Sequence, residues 1–167
     1  WDPSTVTVGS SKKFTWKCNQ GHQWNAVVRD RTGKSSGCPY CTNRRVWSGF
    51  NDLKTLFPEV AKEADGWDPF IVLSGSNKKV SWKCKKGHTW ETSIDKRTST
   101  NKTGCPYCAN QKVWVGFNDL KTKFPEIAKE ANGWDPATVM PGSSSTKKSW
   151  KCAKGHDWES TPYKRAL

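Results

Sequence analysis

Every cysteine and every histidine in the chain belongs to one recurring arrangement. Cys18 and His22 are followed by Cys38 and Cys41, Cys84 and His88 by Cys105 and Cys108, and Cys152 is followed by His156. Cys-x3-His and Cys-x2-Cys are spacings at which two tight turns close four ligands around one tetrahedral zinc ion. The pattern predicts one metal site at Cys18, His22, Cys38 and Cys41, and a second at Cys84, His88, Cys105 and Cys108. It predicts an incomplete half-site at Cys152 and His156, whose partner turn would fall beyond Leu167. The expected cofactor is therefore Zn2+, two ions plus a third site left incomplete. Four protein ligands leave no position for a reactive water, so the ions are structural. No spare carboxylate recurs as a general base, and the Gly-Ser stretches match neither a phosphate-cradling nor a dinucleotide pattern. The expectation is a chain that is not an enzyme and has no small-molecule substrate.

Seven cysteines cannot all pair within one chain, and disulfides would not explain a histidine at fixed spacing after each first cysteine. Thiolate ligation points to a reducing compartment, hence a cytoplasmic protein, nucleoid-associated if it binds DNA. No apolar run is long enough to span a membrane and no signal-peptide core is present. The chain opens at Trp1 and stops inside a third copy of the block, which points to a piece of a longer array.

The ligands need elements to hold them, and these repeat with a period of 66 to 68 residues. Trp1, Trp67 and Trp134 open equivalent Trp-Asp-Pro segments, each followed by a Gly-Ser loop. An alternating segment such as Lys79–Cys84 reads as a half-buried strand, a Gly-His turn reverses it, and Trp24–Val28 or Trp90–Ile94 supplies the return strand. A polar loop leads to the Cys-Pro-Tyr-Cys turn. The stretches Gly49–Gly66 and Gly116–Gly133 then show helical spacing at Phe50, Leu53, Phe57, Val60, Ala61 and Ala64, whose expected job is burial against the hairpin or the next unit. Asn51 or Asp52 caps a first helical turn, Pro58 opens a second, and Gly66 stops it. A unit of this size is marginal on core burial alone and needs its metal. The 11 tryptophans suggest small cores built around indoles, with the Trp of each Trp-Asp-Pro packing between repeats.

The fold class is thus small α+β zinc-stabilised repeats in tandem. Each is a β-hairpin plus a Cys-Pro-Tyr-Cys zinc turn followed by one or two short helices. The expected boundaries are 1–48 for module 1, 49–66 for a helical connector, 67–115 for module 2, 116–133 for a second connector and 134–167 for an incomplete module 3.

Trp-Lys-Cys-x3-His-x-Trp, an Arg seven residues after that second Trp, Gly-Cys-Pro-Tyr-Cys and Gly-Phe-Asn-Asp-Leu together resemble the bacterial and viral family called the probable zinc-ribbon domain. The resemblance covers nearly the whole chain. It implies zinc-ribbon or treble-clef-like modules in tandem, sometimes found beside nuclease-like domains.

The formal charge is +13, and six thiolates with two zinc ions lower it by only two. Such an excess favours a polyanionic partner, most simply nucleic acid. Basic residues return at fixed phases: Lys12 and Lys13, Lys78 and Lys79, Lys147 and Lys148 before the first strand; Lys17, Lys83 and Lys151 beside the first cysteine; Arg31, Arg97 and Arg165 after the hairpin. These twelve are the candidate phosphate contacts. No helix combines exposed Arg, Asn and Gln as a major-groove reader does, so backbone contacts are expected, with DNA slightly favoured over RNA. The competing reading is a protein–protein adaptor or scaffold built of zinc-ribbon repeats.

Overall fold

The computed structural model describes residues 1–34 and 36–166. In chain order the elements are β1 (Lys13–Lys17), β2 (Gln23–Val27), α1 (Val28–Thr32), α2 (Leu53–Leu56), α3 (Pro58–Ala61), β3 (Lys79–Lys83), β4 (Thr89–Ser93), α4 (Ile94–Thr98), α5 (Leu120–Lys123), α6 (Pro125–Ala128), β5 (Lys148–Lys151), β6 (Asp157–Ser160) and α7 (Pro162–Ala166). The strands form three two-stranded sheets among the described residues, β1–β2, β3–β4 and β5–β6. The chain divides into two compact units, one of Trp1–Lys85 with Glu91–Lys102 and one of Lys86–Trp90 with Thr103–Leu167.

In the first unit β1 pairs antiparallel with β2, setting Trp16 opposite Trp24 and Phe14 opposite Ala26. Alternation turns Phe14 and Trp16 inward and leaves Lys13, Thr15 and Lys17 exposed. The indole N–H of Trp16 donates to the Ala26 carbonyl at 3.0 Å, and Trp82 does the same to Thr92 at 3.0 Å. Each indole thereby has its polar atom satisfied, with Trp82 fully buried and Trp16 half-buried. The second unit repeats this, Trp150 facing Trp158 and donating to Ser160 at 2.9 Å.

Each Trp-Asp-Pro segment folds into a 3-10 turn, Pro3–Thr5, Pro69–Ile71 or Pro136–Thr138, capped by Asp2, Asp68 or Asp135. Its Trp does not pack between repeats as expected. Trp67 meets the edge of Trp82 at 5.1 Å and donates to the Ser81 carbonyl, both on its own repeat's hairpin. Trp134 and Trp150 are arranged likewise at 5.0 Å. The fixed φ of the following proline turns the chain straight back onto the hairpin.

The return strands end one residue earlier than the alternation suggests. Val28 and Ile94 begin α1 and α4, 4% and 0% exposed respectively. Where the sequence reads as a polar loop, a single helical turn thus carries Arg31 or Arg97.

The connector helices have four residues each and could not stand alone in water. Asp52 caps α2, accepting from Thr55 N–H at 2.8 Å, while Pro58 occupies the first turn of α3. Gly66 ends the segment at φ +77°, a backbone that side chains disfavour. Packing on the following hairpin supplies the stability. Leu53 N–H donates to the Val72 carbonyl at 2.9 Å, Ala64 bridges to Trp82, and Lys83 N–H donates to the Glu63 carbonyl at 2.8 Å. Under this cover Trp82 and Leu53 are both 0% exposed. Full burial of an indole, on the order of 200 Å2, is worth roughly 5 kcal/mol at ~25 cal/mol per Å2. In the second unit Leu120, Ala131 and Glu130 make the same bonds to Val139, Trp150 and Lys151, and Trp150 is again 0% exposed.

Candidate metal centres

The first pair of ligands comes from the tip of β1–β2. Cys18 N–H donates to the His22 carbonyl at 3.0 Å, and Gly21 N–H returns to the Cys18 carbonyl at 2.9 Å. Gly21 sits at φ +82°, which only glycine adopts cheaply, and this sharp turn aims sulfur and imidazole at one point. The second pair comes from Cys38-Pro39-Tyr40-Cys41. Here Thr42 N–H donates to the Cys38 carbonyl at 3.1 Å and Arg44 N–H to the Pro39 carbonyl at 2.8 Å.

His22 Nδ1 lies 3.5 Å from Cys18 Sγ, 3.7 Å from Cys38 Sγ and 3.4 Å from Cys41 Sγ, and the Cys18 and Cys41 sulfurs are 3.8 Å apart. Ideal zinc bonds of about 2.3 Å to sulfur and about 2.0 Å to nitrogen give tetrahedral edges of about 3.8 Å for S–S and about 3.5 Å for S–N. The ligand set fits Zn2+. In the second cluster, Cys84, His88, Cys105 and Cys108, the ligand atoms lie within 4.8 Å of one another, as they do in the first. His88 Nδ1 is 3.6 Å from Cys105 Sγ and 3.4 Å from Cys108 Sγ. All seven cysteines are free of disulfides. In both sites the histidine is buried, the cysteine four residues before it is half-buried, and only the last cysteine is exposed.

The electrostatics fit the same ion. Burial pushes the Cys18 thiol up, but backbone N–H groups of Gln20 and His22 together with hydrogen bonds from Cys38 and Cys41 outweigh it and hold its pKa down to about 7. Burial and the nearby Cys38 and Cys18 sulfurs push Cys41 up to about 11. Three sulfurs at this distance cannot all ionise against one another, and a dication removes the conflict.

A further residue holds each zinc turn. Asn51 is 3% exposed. It accepts from Trp47 N–H at 2.6 Å and donates to the carbonyls of Tyr40 at 2.8 Å and Arg45 at 2.9 Å. Asn118 does the same with Trp114, Tyr107 and Lys112. The sequence reading treats Asn51 as an alternative helix cap. The structure gives that task to Asp52 alone and uses Asn51 to clamp the Cys-Pro-Tyr-Cys turn to the connector. The recurrence of Asn-Asp before Leu was the available signal. Phe50, expected to be buried, is 37% exposed and lies with its ring 4.3 Å from that of His22, whose ring is in turn 5.0 Å from that of Trp47.

At the half-site, Cys152 Sγ and His156 Nδ1 are 3.6 Å apart, the separation seen in the first centre. No third ligand joins them among the described residues.

The twelve basic candidates divide sharply. Lys12, Lys13, Lys17, Lys78, Lys79, Lys83, Lys147 and Lys151 are exposed. Lys148 falls where Val80 stands in the preceding repeat, because the loop before it is longer, and it lies half-buried with its ammonium 5.6 Å from the Trp134 ring. The arginines pack on the hairpin indoles. Arg97 is 7% exposed, lies 5.0 Å from the Trp82 ring centre and pairs with Glu63. Arg165 lies over Trp150 and Trp158 at 5.4 and 5.2 Å and pairs with Glu130. Arg31 covers Trp16 and Trp24 at 5.0 and 5.3 Å and donates to the Ser36 carbonyl. A planar guanidinium over indole faces closes the tiny core, leaving Arg97 buried and Arg31 and Arg165 half-buried.

Turn-borne Cys and His ligands at a hairpin tip, closed by a second cysteine turn and repeated in tandem, define an array of small structural zinc fingers. The chain belongs to the family described as the probable treble clef zinc finger domain, whose profile matches residues 1–44, 58–111 and 125–167. No curated protein matches the chain. The second and third matches begin at Pro58 and Pro125, so the family repeat includes the last turn of the connector together with the hairpin on which it packs.

Proposed function

We propose that the chain binds nucleic acid, DNA in the first instance, by lysine contacts to backbone phosphates. The outer face of the first hairpin carries this reading. Lys13, Thr15 and Lys17 stand exposed on β1, opposite Val27, Asn25 and Gln23 on β2, so this face holds two ammonium groups and no carboxylate. On the third hairpin Lys151 faces Asp157 and Ser149 faces Glu159, which offsets the local charge. The first hairpin is therefore the stronger anion contact. With the arginines occupied in the cores, the available cations are lysines, which bind phosphate as point charges without bidentate readout. That chemistry supports positioning on a backbone more than reading of bases.

Titration of the zinc-loaded chain with duplex DNA, single-stranded DNA and RNA at two salt concentrations tests this. Affinity should fall with log salt at a slope of about −0.9 per phosphate contacted on duplex DNA. Lys13→Glu with Lys17→Glu should weaken binding more than Lys147→Glu with Lys151→Glu. Absence of binding at low salt would overturn the reading and leave the adaptor alternative.

A further inference from the structure

Two of the three hairpins carry a connector on the outer edge of their first strand, and the first does not. On β3 the connector is fixed by Leu53 N–H to the Val72 carbonyl, by Lys83 N–H to the Glu63 carbonyl, by the Ala64–Trp82 bridge and by Glu63 on Arg97. On β5 the corresponding groups are Leu120 with Val139, Lys151 with Glu130, Ala131 with Trp150 and Glu130 with Arg165. Their equivalents in the first repeat are Val6, Lys17, Trp16 and Arg31. None of the four anchors recurs there among the described residues.

The first hairpin also differs in burial and pairing. Trp16 is half-exposed where Trp82 and Trp150 are 0% exposed. Arg31 lies over its two indoles as Arg97 and Arg165 do, yet it has no carboxylate partner among the described residues. Against Trp16 runs a groove of about 450 Å3 whose walls include Trp1, Pro3, Val6, Trp16, Lys17 and Val28. Val6 on its wall is the equivalent of Val72, to whose carbonyl the N–H of Leu53, itself 0% exposed, donates in the next repeat.

We propose that this groove is a socket for one more connector, a segment of the form Leu-x3-Phe-Pro-Glu-x-Ala-x-Glu-Ala supplied by a further repeat. The leucine fills the groove and its N–H donates to the Val6 carbonyl. The second glutamate accepts Lys17 N–H on its carbonyl and Arg31 on its carboxylate. The final alanine bridges to Trp16. Both connectors of this chain match the form, at Leu53–Ala64 and Leu120–Ala131, and both are already seated on their own following hairpins. A second copy of the chain would have to release one of them, so the occupant is a further repeat.

The test joins a copy of residues 118–133 directly ahead of Trp1 and compares this zinc-loaded chain with the original. A short helical segment added as a free peptide binds weakly, whereas attachment raises its effective concentration to about millimolar or above. Amide exchange at Lys17 should slow at least tenfold, and Trp16 should become shielded from a collisional quencher. Exchange at Lys83 and Lys151 should stay unchanged. Glu130→Gln in the appended copy, or Arg31→Gln in the chain, should reverse most of the protection, while Lys129→Gln in the appended copy should leave it. Unchanged exchange at Lys17 would overturn the proposal, as would protection that survives both reversing substitutions. So would concentration-dependent dimers of the original chain that protect Lys17, since they would make a second copy the occupant.

Discussion

Asn51 and Arg97 each serve the metal site or the core from a position that looks polar and solvent-facing in the sequence. Asn51, itself buried, presents an acceptor to Trp47 N–H and a two-hydrogen donor to the Tyr40 and Arg45 carbonyls, tying the zinc turn to the connector. Asn51→Ala should cost about 2–3 kcal/mol of stability and speed zinc loss to a competing chelator about tenfold or more. Asn51→Asp should fare no better, because a carboxylate cannot donate to the Tyr40 and Arg45 carbonyls. For Arg97, removing one member of a buried charge pair strands the other, so Arg97→Ala should destabilise by about 3 kcal/mol in chemical denaturation. Arg97→Lys should recover little, since an ammonium lacks the plane that covers Trp82. Neither Arg97 variant should change the salt dependence of nucleic-acid binding while the chain remains folded, because the guanidinium is buried.

At the scale of elements, the connector is the part whose role changes most between sequence and structure. Asp52 caps α2 through Thr55 N–H and hydroxyl and also accepts from Gly49 N–H. Burial pushes its carboxyl up, but these donors outweigh it and hold the pKa below the usual carboxylate range, and Asp119 is placed identically. A carboxylate lowered on folding stabilises above its ordinary pKa, and that contribution is lost as pH falls through the lower folded value. Asp52→Ala should therefore cost about 1 kcal/mol at neutral pH, read from the denaturation midpoint. On acidification the zinc ligands, which must be deprotonated to hold metal, should fail first. A zinc-responsive dye should report release while the caps still hold. The ligand spacing, hairpins, capping proline and closing glycine were legible because each is set by neighbours in the chain. Burial of the connector's apolar residues against a hairpin or the next unit was legible too, but its particular anchors were not, since Leu53 and Glu63 meet their partners through contacts that no local period encodes. The inward turn of Arg31, Arg97 and Arg165 escaped for a related reason. A recurring arginine looks the same whether it repeats a surface contact or a core one, and only the short helix after each hairpin decides between them.

The molecule as a whole is a series of small hydrophobic clusters, each centred on one or two indoles and tied to a cysteine–histidine knot. Such clusters are too small to fold on burial alone, so metal-binding energy is folding energy here. No helix among the described residues is long and apolar enough to cross a membrane. Cys38→Ser should reduce bound zinc by one ion and unfold the first hairpin while Cys105 and its partners keep theirs, a result visible by mass spectrometry and circular dichroism together. The most direct measurement is native mass spectrometry of the intact chain before and after chelation, with the fold followed in parallel. The account predicts two tightly held zinc ions per chain, six thiols protected from alkylation with Cys152 reactive, and collapse of the tryptophan environment when the ions are removed. A chain holding fewer than two ions, or one whose fold is unchanged after chelation, would contradict it.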